Sequence, residues 1–351
     1  MCDNVSAVKQ WRVHRYGPPT AALRLDDVDP PVPGPGEVRV AVSRTALNLN
    51  DTDMCRGIYP TIAPPLPFAL GMEMTGVVDA AGPGADSWIG RRVVAVPTGG
   101  HGAYAQQAVA PVAMTFDAPD ALDDDHAAAF MIAFHTAHLA LHRRAGLRNG
   151  ETLLVHSGAG GVGSAAVQLG VAAGARVFAT AGGPEKTAYC RALGADVVID
   201  YRTEDFAAVV LEATEGRGAD VICDLVGGDV ALGSFRCIAR EGRYLAAGFS
   251  GGQAGGEAGL PPRAISKGNF SVVGAMMSWN DDPYPAARAA GFNAFGRDVG
   301  QETHDALVAL LDAGAIAPRV GRVVGFDEIP SALEDLESRK TIGKSVVHVT
   351  P

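Results

Sequence analysis

Hydrophobic and polar positions follow two rhythms along this chain, and one gives way to the other near residue 151. Before that point, short β-branched runs at Val38–Val42, Gly76–Val78 and Arg92–Val96 stand between Gly and Pro residues, the usual punctuation of strands. Pro30-Pro31-Val32-Pro33-Gly34-Pro35-Gly36 reads as a stiff connection into a strand that starts near Glu37. After it, apolar runs alternate with helical segments. Thr152–His156 predicts a buried strand, Gly161–Ala173 a helix, Ala175–Thr180 a second strand and Pro184–Leu193 a second helix. Asp196–Ile199, Asp220–Asp224, Gly242–Ala247 and Phe270–Met277 continue the strands. Alternation of this length predicts an α/β fold with a parallel, doubly wound sheet. A long helix around His304–Asp312 follows, and Arg319–Val324 and Lys344–Val349 return to strands that rejoin the first, β-rich part. Gly251–Gly259 reads as a mobile Gly-rich loop near the cleft.

The length of 351 residues suits two domains, and 47% hydrophobic with 19% charged residues is an ordinary globular balance. A net charge of −10 argues against a broad nucleic-acid surface but leaves room for one local phosphate site. Cysteines 2, 55, 190, 223 and 237 form no C-x-x-C pair, so neither a zinc knuckle nor a redox dithiol is indicated. Reduced thiols in the cytoplasm are expected, with a reactive thiol at Cys55 as the alternative. Asp3, Lys9, Arg12 and Arg15 interrupt any signal peptide, and Gln168 and Arg176 interrupt the Gly/Ala-rich stretch Gly158–Gly183 as a membrane span.

The chemistry is concentrated after the first strand of the alternating region. Gly158, Gly160 and Gly163 form G-x-G-x-x-G, with Ala159, Gly161 and Val162 between them, directly after a strand and at the opening of a helix. Missing side chains let backbone N–H groups approach a pyrophosphate, and the helix N-terminus adds favourable potential. The next strand decides which dinucleotide is bound. An NAD site carries an acid about 20 residues on, for the ribose 2′-OH. Here the strand ends Phe178-Ala179-Thr180-Ala181-Gly182-Gly183 without one, while Lys186 follows and Tyr201-Arg202 closes the third strand. That combination suits a 2′-phosphate and therefore NADPH. Thr180, Gly182 and Phe249 join the candidate cofactor contacts.

Taken together, several segments resemble the quinone oxidoreductase (zeta-crystallin-like) branch of the zinc-free medium-chain dehydrogenase/reductase superfamily. They are Asn48-Leu49-Asn50-Asp51, Arg56-Gly57-Ile58-Tyr59-Pro60, Pro67-Phe68-Ala69-Leu70-Gly71-Met72-Glu73, Ala159-Gly160-Gly161-Val162-Gly163, Gly194-Ala195-Asp196 and Gly343-Lys344. The resemblance spans essentially the whole chain. It implies a GroES-like β-rich catalytic domain over 1–131 and 308–351, a Rossmann NADP-binding domain over 132–307, and a cleft between them. It further implies NADPH gripped by Lys186, Tyr201 and Arg339, with Asn48 and Thr136 at the nicotinamide end. A homodimer through the strand near Phe270–Met277 is the usual assembly of such proteins.

The superfamily's zinc enzymes hold their metal with Cys and His at positions that here look like Asn48 and Met72, neither a good substitute. The cysteines of a structural zinc loop are missing as well. His135, His138 and His142 share a helical spacing that would allow adventitious metal binding, but no carboxylate accompanies them in a metal motif, and no functional metal is expected. The expected reaction passes hydride from the cofactor to a quinone or an α,β-unsaturated carbonyl, a small electrophilic substrate. Asn48 or Thr136 would steady the developing oxyanion or hold the cofactor. Tyr59 or water would supply the proton, and the alternative for Tyr59 is packing. His101, Trp279 and Phe249 line the pocket or simply pack. Reduction of an enoyl thioester, or NADPH binding with little turnover, are the competing readings.

Overall fold

The structure, a computed structural model, describes residues 6–59, 62–251, 259–280 and 291–349. Pro60 and most of the Gly-rich run at 251–259 lie outside the described residues. The chain divides into two compact units. One comprises Met1–Met131, Ser278–His304 and Arg319–Pro351, and the other Ile132–Met277 and Asp305–Pro318.

In chain order, β1 (Val8–Val13) and β2 (Leu23–Val28) pair antiparallel across one helical turn, α1 (Pro19–Ala22). Next comes β3 (Glu37–Ala46), whose alternation puts Val38, Val40 and Val42 in the core. Helix α2 (Leu49–Arg56) follows, then β4 (Phe68–Ala69), which pairs with β1. Strands β5 (Met74–Ala81), β6 (Arg92–Ala95), β7 (Gln107–Pro111) and β8 (Thr115–Asp117) complete this stretch. β3 pairs antiparallel with β5 and, along its first half, with β7, while β5, β6 and β8 extend the sheet. The core between these layers includes Val13, Leu70, Met74 and Tyr104.

Helix α3 (Asp124–Ala128) is capped by the Asp123 carboxylate, which accepts from the His126 N–H. Helix α4 (Met131–His138) continues as a π-helical turn over Leu139–Arg144. The second unit then alternates strand and helix: β9 (Thr152–Val155), α5 (Gly161–Ala172), β10 (Arg176–Ala181), α6 (Pro184–Ala192), β11 (Val197–Asp200), α7 (Phe206–Ala213), β12 (Ala219–Asp224), α8 (Asp229–Ser234), β13 (Ile238–Ala246), α9 (Pro262–Gly268) and β14 (Ser271–Gly274). All six strands are parallel, in the order β11-β10-β9-β12-β13-β14, the Rossmann arrangement. The last strand is shorter than Phe270–Met277. Phe270 is buried in the core and Met276 is exposed, so only Ser271–Gly274 pairs with β13.

Helix α10 (Arg297–Asp312) begins before the expected His304. Strand β15 (Val320–Gly325), helix α11 (Ile329–Glu337) and strand β16 (Lys344–His348) close the chain. β16 pairs antiparallel with β3 and parallel with β15, so the C-terminal strands do return to the β-rich sheet.

Candidate active site

The glycine loop sits at the carboxyl end of β9, the central strand of its sheet. Gly158 N–H donates to Thr180 O at 2.9 Å and Gly160 N–H to Ser157 O at 3.0 Å, with Ser157 itself left-handed at φ 56°. The three glycines are needed for different reasons. A Cβ on Gly163 would run into the Ser157 carbonyl, and one on Gly158 would lie 3.0 Å from Ala179 Cβ. A Cβ on Gly160 would meet nothing closer than 3.4 Å. Packing therefore demands Gly158 and Gly163, whereas the bare backbone at Gly160 leaves a cradle that a Cβ would fill, as a pyrophosphate site requires. Gly161 and Val162 lie half-buried at the opening of α5, and Ala159 is buried.

Thr180 belongs to this loop from below. His156 is buried, with Nδ1 3.1 Å from Thr180 Oγ1 and Nε2 2.9 Å from Ser234 Oγ. Ser234 donates its hydroxyl proton to Val230 O at 2.7 Å, so it accepts from His156 and Nε2 carries the hydrogen. Nδ1 is then an acceptor, Thr180 donates to it, and the Thr180 oxygen takes the Ser157 N–H at 3.3 Å. Burial, the main cause, lowers the His156 pKa to about 4, which keeps this ring neutral. The Thr180 hydroxyl is thus spent on holding the loop.

At the end of β10, Gly182 and Gly183 are buried and Lys186 is half-buried in the first turn of α6. A Cβ on Gly182 would come within 2.5 Å of Tyr201 Oη, so the tyrosine closes directly over this glycine. Beyond β12 and β13 two loops are tied together. Asp224 Oδ1 accepts from the N–H groups of Val226 and Gly227 at 2.7 and 3.0 Å, and Tyr244 donates to Oδ2 at 2.6 Å. Gly251 N–H donates to Val226 O at 2.7 Å, which sets the exposed Phe249 beside Gly227. Thr136 is half-buried on α4 of the same unit. Further along, His138 at the end of α4 and His142 in the π-helical turn have ring centroids 4.6 Å apart.

In the β-rich unit, the buried Glu73 and Lys344 form a cluster with the half-buried Asn48. Lys344 Nζ donates to Glu73 Oε1 at 2.5 Å, Asn48 Oδ1 at 2.7 Å and Leu47 O at 3.2 Å. Asn48 Nδ2 donates to Glu73 Oε1 at 3.0 Å and Ala46 O at 3.2 Å. Both amide hydrogens of Asn48 are therefore spent inside the protein, and the oxyanion-donor role considered for it finds no proton to give. Beside it, Asp51 Oδ2 accepts from Asn48 N at 2.9 Å and from Tyr104 Oη at 2.6 Å. Burial outweighs these bonds and raises the Asp51 pKa to about 7.

Zinc does not fit here. The oxygen that Asn48 would offer already faces an ammonium, Met72 offers a thioether packed against the core, and a second cation beside Lys344 Nζ would be repelled. Among the described residues no group of three His, Cys, Asp or Glu is placed to hold a metal.

Asn50 Nδ2 donates to Tyr59 Oη at 3.2 Å, which orients the phenol. His101 Nδ1 lies 3.0 Å from Ala69 O and so carries the hydrogen, with its ring edge-on to Phe68. Trp279 is buried over Gly300, a packing position. Cys55 is fully buried and burial pushes its thiol up, which removes the thiolate that reactivity needs. Arg339 follows α11 in the β-rich unit, left-handed at φ 57°. No role was read in sequence for Glu73, Lys344, Asp51 or His156. For Glu73 and His156 the available signal was a single charged or imidazole side chain interrupting an otherwise apolar run, whereas Asp51 lies in a polar stretch that gives none.

Comparison with known proteins agrees with this geometry. Residues 34–120 match the alcohol dehydrogenase GroES-like domain family, and residues 193–347 match the zinc-binding dehydrogenase family. A quinone oxidoreductase of Pseudomonas aeruginosa is 34% identical over 340 residues, covering 97% of this chain and 99% of the relative. The solved quinone oxidoreductase of Pseudomonas syringae pv. Tomato is 32% identical with a TM-score of 0.84, covering 97% and 100% of the two chains. A mycobacterial protein solved in complex with NADPH is 29% identical with the same coverage and a TM-score of 0.84.

Proposed function

Because this chain belongs to the medium-chain dehydrogenase/reductase superfamily, in its quinone oxidoreductase branch, we propose that it is an NADPH-dependent reductase that works without zinc on a quinone or an α,β-unsaturated carbonyl. NADPH, when bound, supplies the hydride. The loop from Gly158 to Gly163 receives the pyrophosphate, and Lys186 and Tyr201 receive the 2′-phosphate. The ties among His156, Thr180 and Ser157 hold the loop rigid, so that binding energy is not lost in ordering it.

The single observation that carries the zinc-free reading is the Lys344 ammonium bonded to three oxygens of Leu47, Asn48 and Glu73. A permanent internal cation satisfies the polar groups that a metal would otherwise need to satisfy. Tyr59 delivers the proton that an enolate-like product must take up at carbon. The Asn50 N–H at its oxygen stabilises the phenolate left behind. Reduction of a quinone leaves charge on oxygen, where water protonates it, so Tyr59 matters less there.

A homodimer through the open edge of β14 accords with this reading, since β14 ends its sheet and Val272 is exposed on it. No helix among the described residues is long and apolar enough to cross a membrane, and the described cysteines are free thiols. The free thiols suit a reducing compartment, and the cytoplasm is the proposed location. The test is NADPH consumption across quinones, enones and enoyl-CoA esters. Turnover of a quinone or simple enone supports the proposal. Turnover of enoyl-CoA esters alone points to thioester reduction, and NADPH binding without any turnover refutes the enzyme.

A further inference from the structure

We propose that Arg202 is a cofactor-specificity residue, closing its guanidinium on the 2′-phosphate of NADPH alongside Lys186 and Tyr201. The inference rests on the NADPH reading above and adds a residue to it. The turn after β11 is fastened to the end of β10 by its backbone. Tyr201 N–H donates to Ala181 O at 3.2 Å, and Thr203 and Glu204 N–H groups donate back to Asp200 O at 3.0 and 2.9 Å. Asp200, at the end of β11 beside the end of β10, is an acid close to this turn, but it is otherwise employed. Its Oδ1 accepts from the N–H groups of Gly183 and Arg202, each at 3.1 Å, and these bonds hold its carboxyl below the usual range. The carboxylate thus locks the turn and aims Arg202.

The Arg202 side chain leans over the glycine pair. A Cβ on Gly182 would lie 3.0 Å from its Nε, and one on Gly183 would lie 2.8 Å from its Nη1. Any residue but glycine at either position would push the guanidinium aside. Gly183, at φ 88°, also starts α6 with its N-terminus beside the same spot. Where an acid would repel a phosphate, this chain presents a planar cation whose N–H fork matches phosphate oxygens two at a time. Lys186 supplies only a point charge, so the bidentate geometry falls to Arg202.

The experiment is titration of the full chain and its Arg202→Ala and Arg202→Lys variants with NADPH, NADH and 2′,5′-ADP by calorimetry. Charge-assisted bonds to a phosphate are each worth about a tenfold to hundredfold change in affinity. Arg202→Ala should weaken NADPH and 2′,5′-ADP by about that factor and leave NADH within twofold. Arg202→Lys should recover part of the loss. Equal weakening of NADPH and NADH, or no weakening of either, overturns the role of Arg202. A parent chain that binds NADH as tightly as NADPH instead refutes the NADPH reading itself, and the two failures are read from different proteins.

Discussion

Replacing Lys344 by Met tests the buried cluster most severely. Met has nearly the same volume, so packing survives while the charge is removed. The side chains of Lys344 and Glu73 are only 7% and 1% exposed, so the Glu73 carboxylate left behind cannot recover hydration. Breaking a buried pair from one side costs about 3–5 kcal/mol. For a unit of this size that corresponds to roughly 6–20 °C in melting temperature. The double variant Lys344→Met/Glu73→Gln should regain much of the loss, because Glu73 no longer leaves a buried charge without its partner. Denaturant unfolding followed by tryptophan fluorescence suits this case. All three tryptophans, Trp11, Trp88 and Trp279, belong to the β-rich unit, so the signal reports on that unit. A single variant within about 1 kcal/mol of the parent at neutral pH, or a double variant no more stable than the single, would refute the reasoning.

Gly160→Ala should weaken NADPH binding while leaving stability nearly unchanged, whereas Gly163→Ala should damage both, since its Cβ has no room against Ser157; paired calorimetry and thermal melts distinguish them. Tyr59→Phe should slow enone reduction by about 10²–10⁴-fold and quinone reduction far less, with NADPH affinity unchanged; equal slowing on both substrates would make Tyr59 a packing residue. His156 is neutral when folded down to about pH 4, while unfolded histidine protonates near pH 6.5. The unfolded chain therefore binds the extra proton between those values, and stability should fall as pH drops from about 6.5 to 4. His156→Gln should flatten that part of the stability profile, and an unchanged slope would show that other groups set it.

The Rossmann strands were legible because a parallel strand buried on both faces is a largely apolar run, and β9, β10 and β12 are of that kind. Strands β1 and β2 were not read. Their sequences, VKQWRV and LRLDDV, keep charges on the solvent side, and Lys9 pairs with Asp27 across them, so neither stands out as an apolar run. The glycine loop was legible for the same reason that it works, since it is local. The Asn48–Glu73–Lys344 cluster was not, because its members lie 25 and 271 positions apart and meet only when β16 lines up beside β3. Asn48 was named as a candidate from its residue type, and its engagement inside the protein could not be read from the chain. Its amide could be judged only after Lys344 and Glu73 were found to consume it. Likewise, Thr180 was placed correctly on β10, yet its hydroxyl serves His156 and Ser157.

The central claim is hydride transfer from NADPH without a metal, and it is tested most directly by measuring turnover and metal content on the same sample. Purified protein should oxidise NADPH with a quinone or enone acceptor while holding well under one zinc per chain. Prolonged treatment with a chelator should leave the rate unchanged. Stoichiometric zinc whose removal abolishes turnover and whose return restores it would contradict the account.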